Sequence, residues 1–324
     1  MNNYIAVTIG DINGVGIKIL LKVFRKNKNQ KFILFTNLKI LKKYLEKNNV
    51  KIKLNKIKNN KTKINFEENN LNIFTFNCIS EEDNTLKSID HAYDFCKREI
   101  CIGMITLPLR KDKIKENINK GFIGHTEYLQ FLDKKKYSNM ILYHKKIIIS
   151  PITTHIQLKK VSKIVTNRNF LYNQILNLHS VLRKDFNINK PKIVISGLNP
   201  HSGENGTLGK EEIKQINPII KKIRKKGIFL DGALSADSIL INKNLKKYDC
   251  FVFMYHDQAL IPFKYISQFS GVNYTGNLSI IRASPDHGTA YDLVKSNLIL
   301  DESFINCVKF IYRVYKNRKI NDTT

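Results

Sequence analysis

The segment "DCFVFMYHDQALIPFKY", residues 249–265, contains the pattern on which the fold prediction rests. Its apolar run from Phe251 to Tyr255 has the short length and the aromatic and β-branched content of a buried strand. The run stops at His256 and Asp257, and apolar residues resume at Ala259. The pattern predicts a buried strand that delivers two titratable side chains at its carboxyl end.

Similar short apolar runs recur along the chain and alternate with longer amphipathic stretches. Two of these stretches, residues 14–26 ("GVGIKILLKVFRK") and 209–226 ("GKEEIKQINPIIKKIRKK"), have the apolar spacing of helices. The strand-like runs are "YIAVTIG" (4–10), "KFILFT" (31–36), "ICIGMITLP" (100–108), "KKIIIS" (145–150), "KIVISGL" (192–198) and "DCFVFMY" (249–255). This alternation predicts an α/β protein with a largely parallel sheet.

The length and composition favour a globular protein of two domains. At 324 residues the chain exceeds the usual size of one domain, so we expect two domains that share a cleft. Hydrophobic residues make up 42% of the chain, and no apolar run approaches the roughly 18 residues of a membrane span. The opening "MNNYIAVTIG" lacks the pattern of a secretory signal, so we expect a cytoplasmic protein that does not bind membranes. We also expect the C-terminal "KNRKINDTT", residues 316–324, to fray.

The cysteines and the net charge exclude some classes of function and leave one open. Five cysteines without a CxxC pair are expected to be buried free thiols rather than a disulfide framework or a zinc ribbon. The net charge of +28 raises the alternative of a nucleic-acid-binding protein. However, the lysines are scattered, and the densest segment, residues 42–63, is typical of a solvated surface. We therefore do not expect nucleic-acid binding, although an affinity for anionic ligands fits the charge.

Three strand-like runs lead to a histidine. "IIISPITTH" ends at His155, "IVISGLNPH" at His201 and "FVFMYH" at His256. Three neutral imidazoles in equivalent positions after apolar runs can converge on one divalent ion, although each could equally be a hydrogen-bonded loop histidine. Asp237 and Asp257 are nearby acids that could add a ligand or accept a proton, or could be helix caps or solvated loop acids.

A second group of residues suits an anionic ligand. His125 and Thr126 precede an apolar-periodic segment, where the free N–H groups of a helix N-terminus favour a phosphate or a carboxylate. Thr126 as a plain N-cap is the alternative. Lys264, Asn273 and Arg282 add two cations and an amide, although in so basic a chain each cation could be ordinary surface charge.

Two glycine-containing turns are candidates for a nucleotide site. The segment "TIGDINGVGIKIL" has glycines at positions 10, 14 and 16 but does not match the Rossmann fingerprint, and a tight strand-to-helix turn explains these glycines without a ligand. Near the other end, Asp286, His287 and Gly288 lead to a helix expected to open near Thr289, which could hold a nucleotide or be only a cap.

Taken together and in this order, these segments resemble the 4-hydroxythreonine-4-phosphate dehydrogenase family, whose members are PdxA-like proteins of pyridoxal phosphate biosynthesis. The similarity runs from residue 10 to about residue 293, and its most specific parts are "GLNPHSGE" and "YHDQ". The matching pieces are "GDINGVGI", "GHTEYL", "TTH", "SGLNPHSGENGTLGKEEI", "GALSADS", "MYHDQALIPFKY", "GVNYT" and "IRASPDHGTAYDL".

The resemblance implies a fold and an assembly. It implies a homodimer of two α/β/α domains, similar to isocitrate and isopropylmalate dehydrogenases, with active sites in clefts at the subunit interface. The implied first domain comprises about residues 1–120 and 280–324, and the second, which would contain most metal and substrate residues, about 121–279.

The resemblance also implies a reaction. This is the NAD-dependent and divalent-metal-dependent oxidation of 4-phosphooxy-L-threonine to 2-amino-3-oxo-4-phosphooxybutanoate, which decarboxylates to 3-amino-2-oxopropyl phosphate. A paralogous dehydrogenase acting on a phosphorylated sugar acid or a carboxylated cis-dihydrodiol is the nearer alternative. A non-enzymatic nucleic-acid-binding protein is the distant one.

By motif, the resemblance assigns roles to individual residues. His155, His201 and His256 would bind zinc, magnesium or cobalt, while His125, Thr126, Lys264, Asn273 and Arg282 would contact the substrate. Lys111, Asp237 and Asp257 are possible catalytic or supporting residues, and Asp286, His287, Gly288 and Thr289 would lie near the NAD adenosine. The chain departs from the family pattern at Ile12 and Ile17, which replace prolines, and at Leu107, which replaces a glycine whose backbone is expected to be closely approached.

Overall fold

The computed structural model describes residues 3–27, 30–57, 66–294 and 301–321. The chain forms two compact units. The first comprises Met1–Leu129 and Ser279–Tyr315, and the second comprises Gln130–Leu278 and Lys316–Thr324. His125 and Thr126 thus belong to the first unit, whereas the resemblance implied a second domain that begins near residue 121.

All six strand-like runs of the sequence form strands, and the structure adds others. The strands are β1 Tyr4–Thr8, β2 Phe32–Phe35, β3 Leu54–Ile57, β4 Leu71–Phe74, β5 Cys101–Thr106, β6 Asn139–His144, β7 Ile147–Pro151, β8 Ile193–Ser196, β9 Leu230–Leu234, β10 Cys250–Phe253, β11 Val272–Gly276 and β12 Arg282–Pro285.

Amphipathic helices alternate with these strands, so the predicted α/β fold is confirmed. The α-helices are α1 Val15–Lys26, α2 Leu38–Lys47, α3 Glu81–Lys97, α4 Lys111–Asn117, α5 His125–Leu132, α6 Leu158–Val165, α7 Arg168–Lys184, α8 Asn217–Arg224, α9 Asn242–Lys247, α10 His256–Ser267 and α11 Glu302–Asn321. Among the described residues, no helix is both long enough and apolar enough to cross a membrane.

The first unit is built on a parallel sheet. Its strands lie in the order β3, β4, β2, β1, β5, β12, and every pairing between these neighbours is parallel. The central strands β1, β2 and β5 are buried along their whole length, which agrees with their continuous apolar sequences. β3 is the edge strand, and most of the lysine-rich stretch that follows it lies outside the described residues.

The second unit has a mixed sheet, in the order β11, β6, β7, β10, β8, β9. The pairs β11–β6 and β6–β7 are antiparallel. β6 and β7 form a hairpin, because only Lys145 and Lys146 separate them. The pairs β7–β10, β10–β8 and β8–β9 are parallel, as the sequence pattern predicts. β7, β10 and β8 are therefore parallel neighbours.

The cysteines agree with the prediction from the sequence, and the C-terminus does not. The cysteines are free; four are buried, and Cys78 is half-buried. The expected fraying of the C-terminus is wrong for residues 316–321, which belong to α11. Arg318 on this helix donates from Nε to Asp185 Oδ1 at 2.7 Å, and Asn317 donates to the Asp185 carbonyl at 2.8 Å. An ion pair with a buried carboxylate thus anchors a segment whose composition is typical of a solvated tail. The last three residues lie outside the described part.

Candidate active site

The three predicted metal-binding histidines follow three neighbouring strands of the second unit. His155 comes four residues after the end of β7, His201 five residues after β8, and His256 three residues after β10. Because β7, β10 and β8 are parallel neighbours, their carboxyl ends lie along one edge of the sheet. This is the edge at which open α/β sheets bind ligands.

His155 and His256 lie side by side. Their ring centroids are 5.7 Å apart, and the rings are inclined by 44°. His256 is the first residue of α10, and its Nδ1 lies 2.6 Å from Asp257 Oδ1. A proton on Nδ1 donated to this carboxylate orients the ring and leaves Nε2 as the nitrogen that can bind a metal. Asp257 itself is mostly exposed.

Hydrogen bonds connect the three strand ends. Thr153 Oγ1 donates to the Met254 carbonyl at 2.8 Å, which joins the segment after β7 to the end of β10. Gln258 Oε1 accepts from the Met254 N–H at 2.8 Å, while its Nε2 donates to the Gly197 carbonyl at 3.1 Å. Gln258 thus holds the segment before His256 against the segment that leads to His201.

His201 is exposed and lies in a left-handed turn. Residues 201–205 all have positive φ within the segment Pro200–Gly206. Asp237 lies close enough to His201 to be affected by its charge: donation from the Ser235 hydroxyl at 2.6 Å lowers the pKa of Asp237, and His201 acts in the same direction.

The donor chemistry of the three histidines fits a divalent metal, since imidazole nitrogens bind zinc, cobalt and similar ions. The structure brings His155 and His256 together. In the described part of the chain, however, no three histidine, cysteine or acidic side chains lie close enough to hold an ion. A metal site formed by His155, His201 and His256 therefore stays a prediction. The structure pairs the rings of His155 and His256 but does not bring His201 to them.

Within the first unit, Arg282 begins β12 and is only 2% exposed. Its Nε and Nη2 donate to Thr106 Oγ1 at 2.9 and 2.7 Å. Burial lowers the pKa of Arg282 to about 10, so the guanidinium is charged at neutral pH. The charge of Glu127 acts in the opposite direction and helps to retain the proton on Arg282.

Lys111, His125 and Glu127 belong to the same cluster. Burial lowers the pKa of Lys111, the charge of Arg282 acts in the same direction, and Glu127 opposes both. Burial and the charges of Arg282 and Lys111 hold the pKa of His125 well below its ordinary value, so its imidazole is neutral. His125 Nε2 is buried and has no hydrogen-bond partner among the described residues. A neutral imidazole beside two cations and one carboxylate suits an anionic ligand.

The remaining predicted substrate residues are divided between the units. Thr126 lies in the first turn of α5, which begins at His125, so Thr126 is not the N-cap residue of the alternative interpretation. In the second unit, Lys264 lies on α10 with Nζ 4.9 Å from the Phe269 ring centroid. Asn273 lies on β11, and its Oδ1 is buried without a hydrogen-bond partner in the described ranges.

The N-terminal glycine turn and the segment after β12 are in contact within the first unit. The Val15 N–H donates to the Thr289 carbonyl at 3.0 Å, and the Tyr291 hydroxyl donates to Asp11 Oδ2. The helix expected near Thr289 is instead a single 3₁₀ turn, Tyr291–Leu293, preceded by Ala290 in a left-handed conformation. A pocket of about 220 Å³ adjoins this contact and is lined by Asp11, Ile12, Asn13, Glu81, Glu82, Thr85, Arg110, Lys113, Ile114 and Tyr291.

The other predicted cofactor residues lie directly before Thr289. Asp286 is buried, and its N–H donates to Ser303 Oγ at 2.9 Å. His287 is half-buried, with Nδ1 3.0 Å from the Gly288 carbonyl oxygen, and Gly288 is exposed. These residues thus connect the buried end of β12 to the glycine turn.

Leu107 is accommodated by the same turn. Its side chain is fully buried, and a Cβ added at Gly16 would lie 3.1 Å from the Leu107 Cβ. Gly10 has φ +61°, and a Cβ there would lie 2.4 Å from the Pro108 carbonyl oxygen. Glycine is thus required at positions 10 and 16, where the N-terminal turn and the start of α1 pack against Leu107 and Pro108.

Two residues close in sequence to the predicted metal ligands were not predicted from the sequence as functional residues. Gln258 lies two positions after His256 in "YHDQ", and Glu212 lies in "GKEEI" after the glycine-rich loop. Glu212 is only 1% exposed. A buried acid in an otherwise solvated helical segment cannot be recognised from periodicity, but its place beside a loop containing Gly203, Gly206 and Gly209 is a usable signal.

Comparisons with known proteins agree on one family. The family model described as "Pyridoxal phosphate biosynthetic protein PdxA" matches residues 28–311. A 4-hydroxythreonine-4-phosphate dehydrogenase from a Sulfurihydrogenibium species is 33% identical over 323 residues, covering 97% of this chain and 99% of that protein.

Solved structures agree with this result. The crystal structure of 4-hydroxythreonine-4-phosphate dehydrogenase from Klebsiella pneumoniae has a TM-score of 0.83 at 27% identity, covering 97% of this chain and 98% of the other. Isocitrate dehydrogenase from Methylococcus capsulatus shares the fold, with a TM-score of 0.51 at 11% identity, covering 98% of this chain and 87% of the other.

Proposed function

The chain belongs to the PdxA family and is a dehydrogenase, and on that premise we propose that its substrate is 4-phosphooxy-L-threonine. With NAD as the oxidant, the product is 2-amino-3-oxo-4-phosphooxybutanoate, which decarboxylates to 3-amino-2-oxopropyl phosphate for pyridoxal phosphate biosynthesis. The observation that carries this proposal is the 33% identity, over nearly the whole of both chains, to a curated protein of that name.

The proposed metal ligands are His155, His201 and His256. A divalent ion bound there, whether zinc, cobalt or magnesium, would polarise the substrate hydroxyl and stabilise the developing alkoxide. The protein's part is to orient the imidazoles. The 2.6 Å contact between His256 Nδ1 and Asp257 supports this role, because it directs Nε2 away from the carboxylate.

The substrate's anionic groups are assigned to Arg282, Lys111, His125 and Thr126, together with Lys264 and Asn273. Arg282 and Lys111 supply positive charge, and neutral His125 supplies a ring nitrogen that can donate or accept a hydrogen bond. Fixing the anionic groups orients the hydrogen that leaves as hydride.

The nicotinamide cofactor is assigned to the first unit, beside Asp286, His287, Gly288 and Thr289. The contact between Val15 and Thr289 supports this assignment, because it joins the two turns proposed for nucleotide binding. The adjoining pocket of about 220 Å³ supplies carboxylates and the Tyr291 hydroxyl as partners for ribose hydroxyl groups.

A second copy of the chain is the proposed partner. Ile261 and Tyr265 lie one helical turn apart on α10 and are 71% and 81% exposed. Exposed apolar side chains grouped on one helix face are typical of an interaction surface. The same helix begins at His256 and contains Lys264, so an interface there would adjoin the proposed metal and substrate residues.

An NADH assay with a panel of substrates tests the proposal. We expect NADH formation with 4-phosphooxy-L-threonine, and little with phosphorylated sugar acids or carboxylated cis-dihydrodiols. A preference for either of the other classes would contradict the substrate assignment while leaving the dehydrogenase class intact.

A further inference from the structure

His201 lies in a turn that L-amino acids rarely adopt. Five consecutive residues, 201–205, have positive φ, from 44° at Glu204 to 81° at Gly203. Four of the five have side chains, which disfavour this left-handed conformation. A turn of this kind persists only where the surrounding structure holds it in place.

One buried carboxylate holds the entrance to this turn. Glu212 is 1% exposed, and its Oε1 accepts from the backbone N–H groups of Leu198 and Asn199, both at 2.8 Å. Its Oε2 accepts from Asn199 Nδ2 at 3.0 Å. Three donors compensate the burial of the charge, and the backbone two and three residues before His201 is fixed in return.

The far side of the turn is held as well. A Cβ at Gly203 would lie 2.8 Å from Glu212 Oε2, so the turn packs directly on the carboxylate. Ser202, which follows His201, donates from Oγ to the Ala233 carbonyl of β9 at 2.9 Å. The backbone is therefore fixed on both sides of His201, while the imidazole itself is exposed and takes no part in these hydrogen bonds.

We propose that Glu212 is a positioning residue for metal binding. Its carboxylate holds the left-handed turn and thereby determines where the His201 imidazole lies, without itself being a ligand. The inference rests on the proposed function, because it requires His201 to bind a metal. It adds that the affinity of the metal site depends on a carboxylate eleven residues away from that ligand.

The test measures Co²⁺ binding to the metal-free protein by calorimetry and by the visible absorption of bound Co²⁺, without any assay of turnover. Glu212→Gln preserves the shape of the side chain but replaces one acceptor oxygen by an amide NH₂ group, which cannot accept from the N–H groups that Glu212 binds. We expect it to weaken Co²⁺ binding by roughly 10- to 100-fold and to change the absorption spectrum. Glu211→Gln is the matched control, because Glu211 also accepts from Asn199 Nδ2, at 2.9 Å, but within the described residues 66–294 it accepts no hydrogen bond from the backbone before His201. Its affinity should stay within about twofold of wild type.

A double-mutant cycle separates positioning from general stability. In a His201→Ala background, Glu212→Gln should cause little further loss of Co²⁺ affinity, since its effect passes through His201. An equal loss in both backgrounds, or wild-type affinity in Glu212→Gln, overturns the inference. If Glu212→Gln does not fold, Glu212→Asp replaces it in the same cycle with the same outcomes, because it keeps the charge but shortens the reach to the Leu198 and Asn199 N–H groups. If the wild-type protein binds no Co²⁺, the proposed metal-dependent function fails instead.

Discussion

The imidazole rings of His155 and His256 lie 5.7 Å apart, although they follow different strands of the sheet. The pair forms because β7 and β10 are adjacent and parallel, and because the Thr153 hydroxyl donates a hydrogen bond to the Met254 carbonyl. Two of the three proposed metal ligands are therefore neighbours at the carboxyl edge of the sheet.

Removal of His256 tests its assignment as a metal ligand. We expect His256→Ala to lower metal-dependent turnover by roughly a thousandfold, because losing metal stabilisation of the alkoxide removes several kcal/mol and each 1.4 kcal/mol is about tenfold. The measurement is NADH formation under saturating metal. His179→Ala, on α7, is the control and should keep wild-type activity. Wild-type turnover in His256→Ala would refute the ligand assignment.

Gln258 should stabilise the edge that presents these histidines. Gln258→Leu leaves the Met254 N–H and the Gly197 carbonyl without their side-chain partner, so we expect the free energy of unfolding to fall by about 1–3 kcal/mol. Urea unfolding measures the change. Gln157→Leu alters an exposed glutamine whose side chain makes no capping hydrogen bond to α6, so it should have little effect. An unchanged midpoint in Gln258→Leu would show that the bridge does not stabilise the fold.

His125 should give stability a specific pH dependence. Its pKa in the folded protein is well below the ordinary value of 6.5, so below that pH the unfolded chain takes up a proton that the folded protein does not. The free energy of unfolding should therefore decrease as the pH falls below 6.5, by at most about 1.4 kcal/mol per pH unit from this group.

His125→Gln should remove that component and leave a shallower slope between about pH 5 and pH 6.5. Urea unfolding of both proteins across the range provides the comparison. Above about pH 7 the two curves should run parallel, which serves as the internal control. Identical slopes at low pH would mean that His125 is not held neutral by its surroundings.

The exposed face of α10 predicts self-association. We expect the wild-type protein to sediment as a dimer, and Tyr265→Asp to weaken the dimer by at least about tenfold, because a charge would be buried at the interface. Ile79→Asp is the control, since Ile79 is 89% exposed but lies in the first unit. A monomeric wild-type protein, or equal dimer strength in Tyr265→Asp, would exclude this face as the interface.

The sequence predicts the elements that depend on local pattern. Buried parallel strands have continuous apolar sequences, so β1, β5, β8 and β10 could be recognised. His155 and His256 could be predicted to lie at the same edge of the sheet, because each directly follows a strand of this kind. The left-handed turn at His201 could not be predicted. The carboxylate that accepts hydrogen bonds from the backbone before this turn belongs to Glu212, eleven residues further along the chain.

Contacts distant in sequence also explain where pattern reasoning fails. The segment around Arg318 has the composition of a solvated tail, yet its ion pair with Asp185 spans 133 residues of sequence and lies in the interior of the second unit. Likewise, Leu107 in place of glycine is tolerated because Gly16 leaves room for its side chain. Neither relationship has a local signal.

The most direct test of the proposed function is NADH formation from 4-phosphooxy-L-threonine by chelator-treated protein, followed by addition of zinc, cobalt or magnesium one at a time. We predict that chelation abolishes NADH formation and that at least one of these ions restores it, with release of carbon dioxide and 3-amino-2-oxopropyl phosphate. Full activity after complete removal of metal, or no activity with any ion, would contradict it.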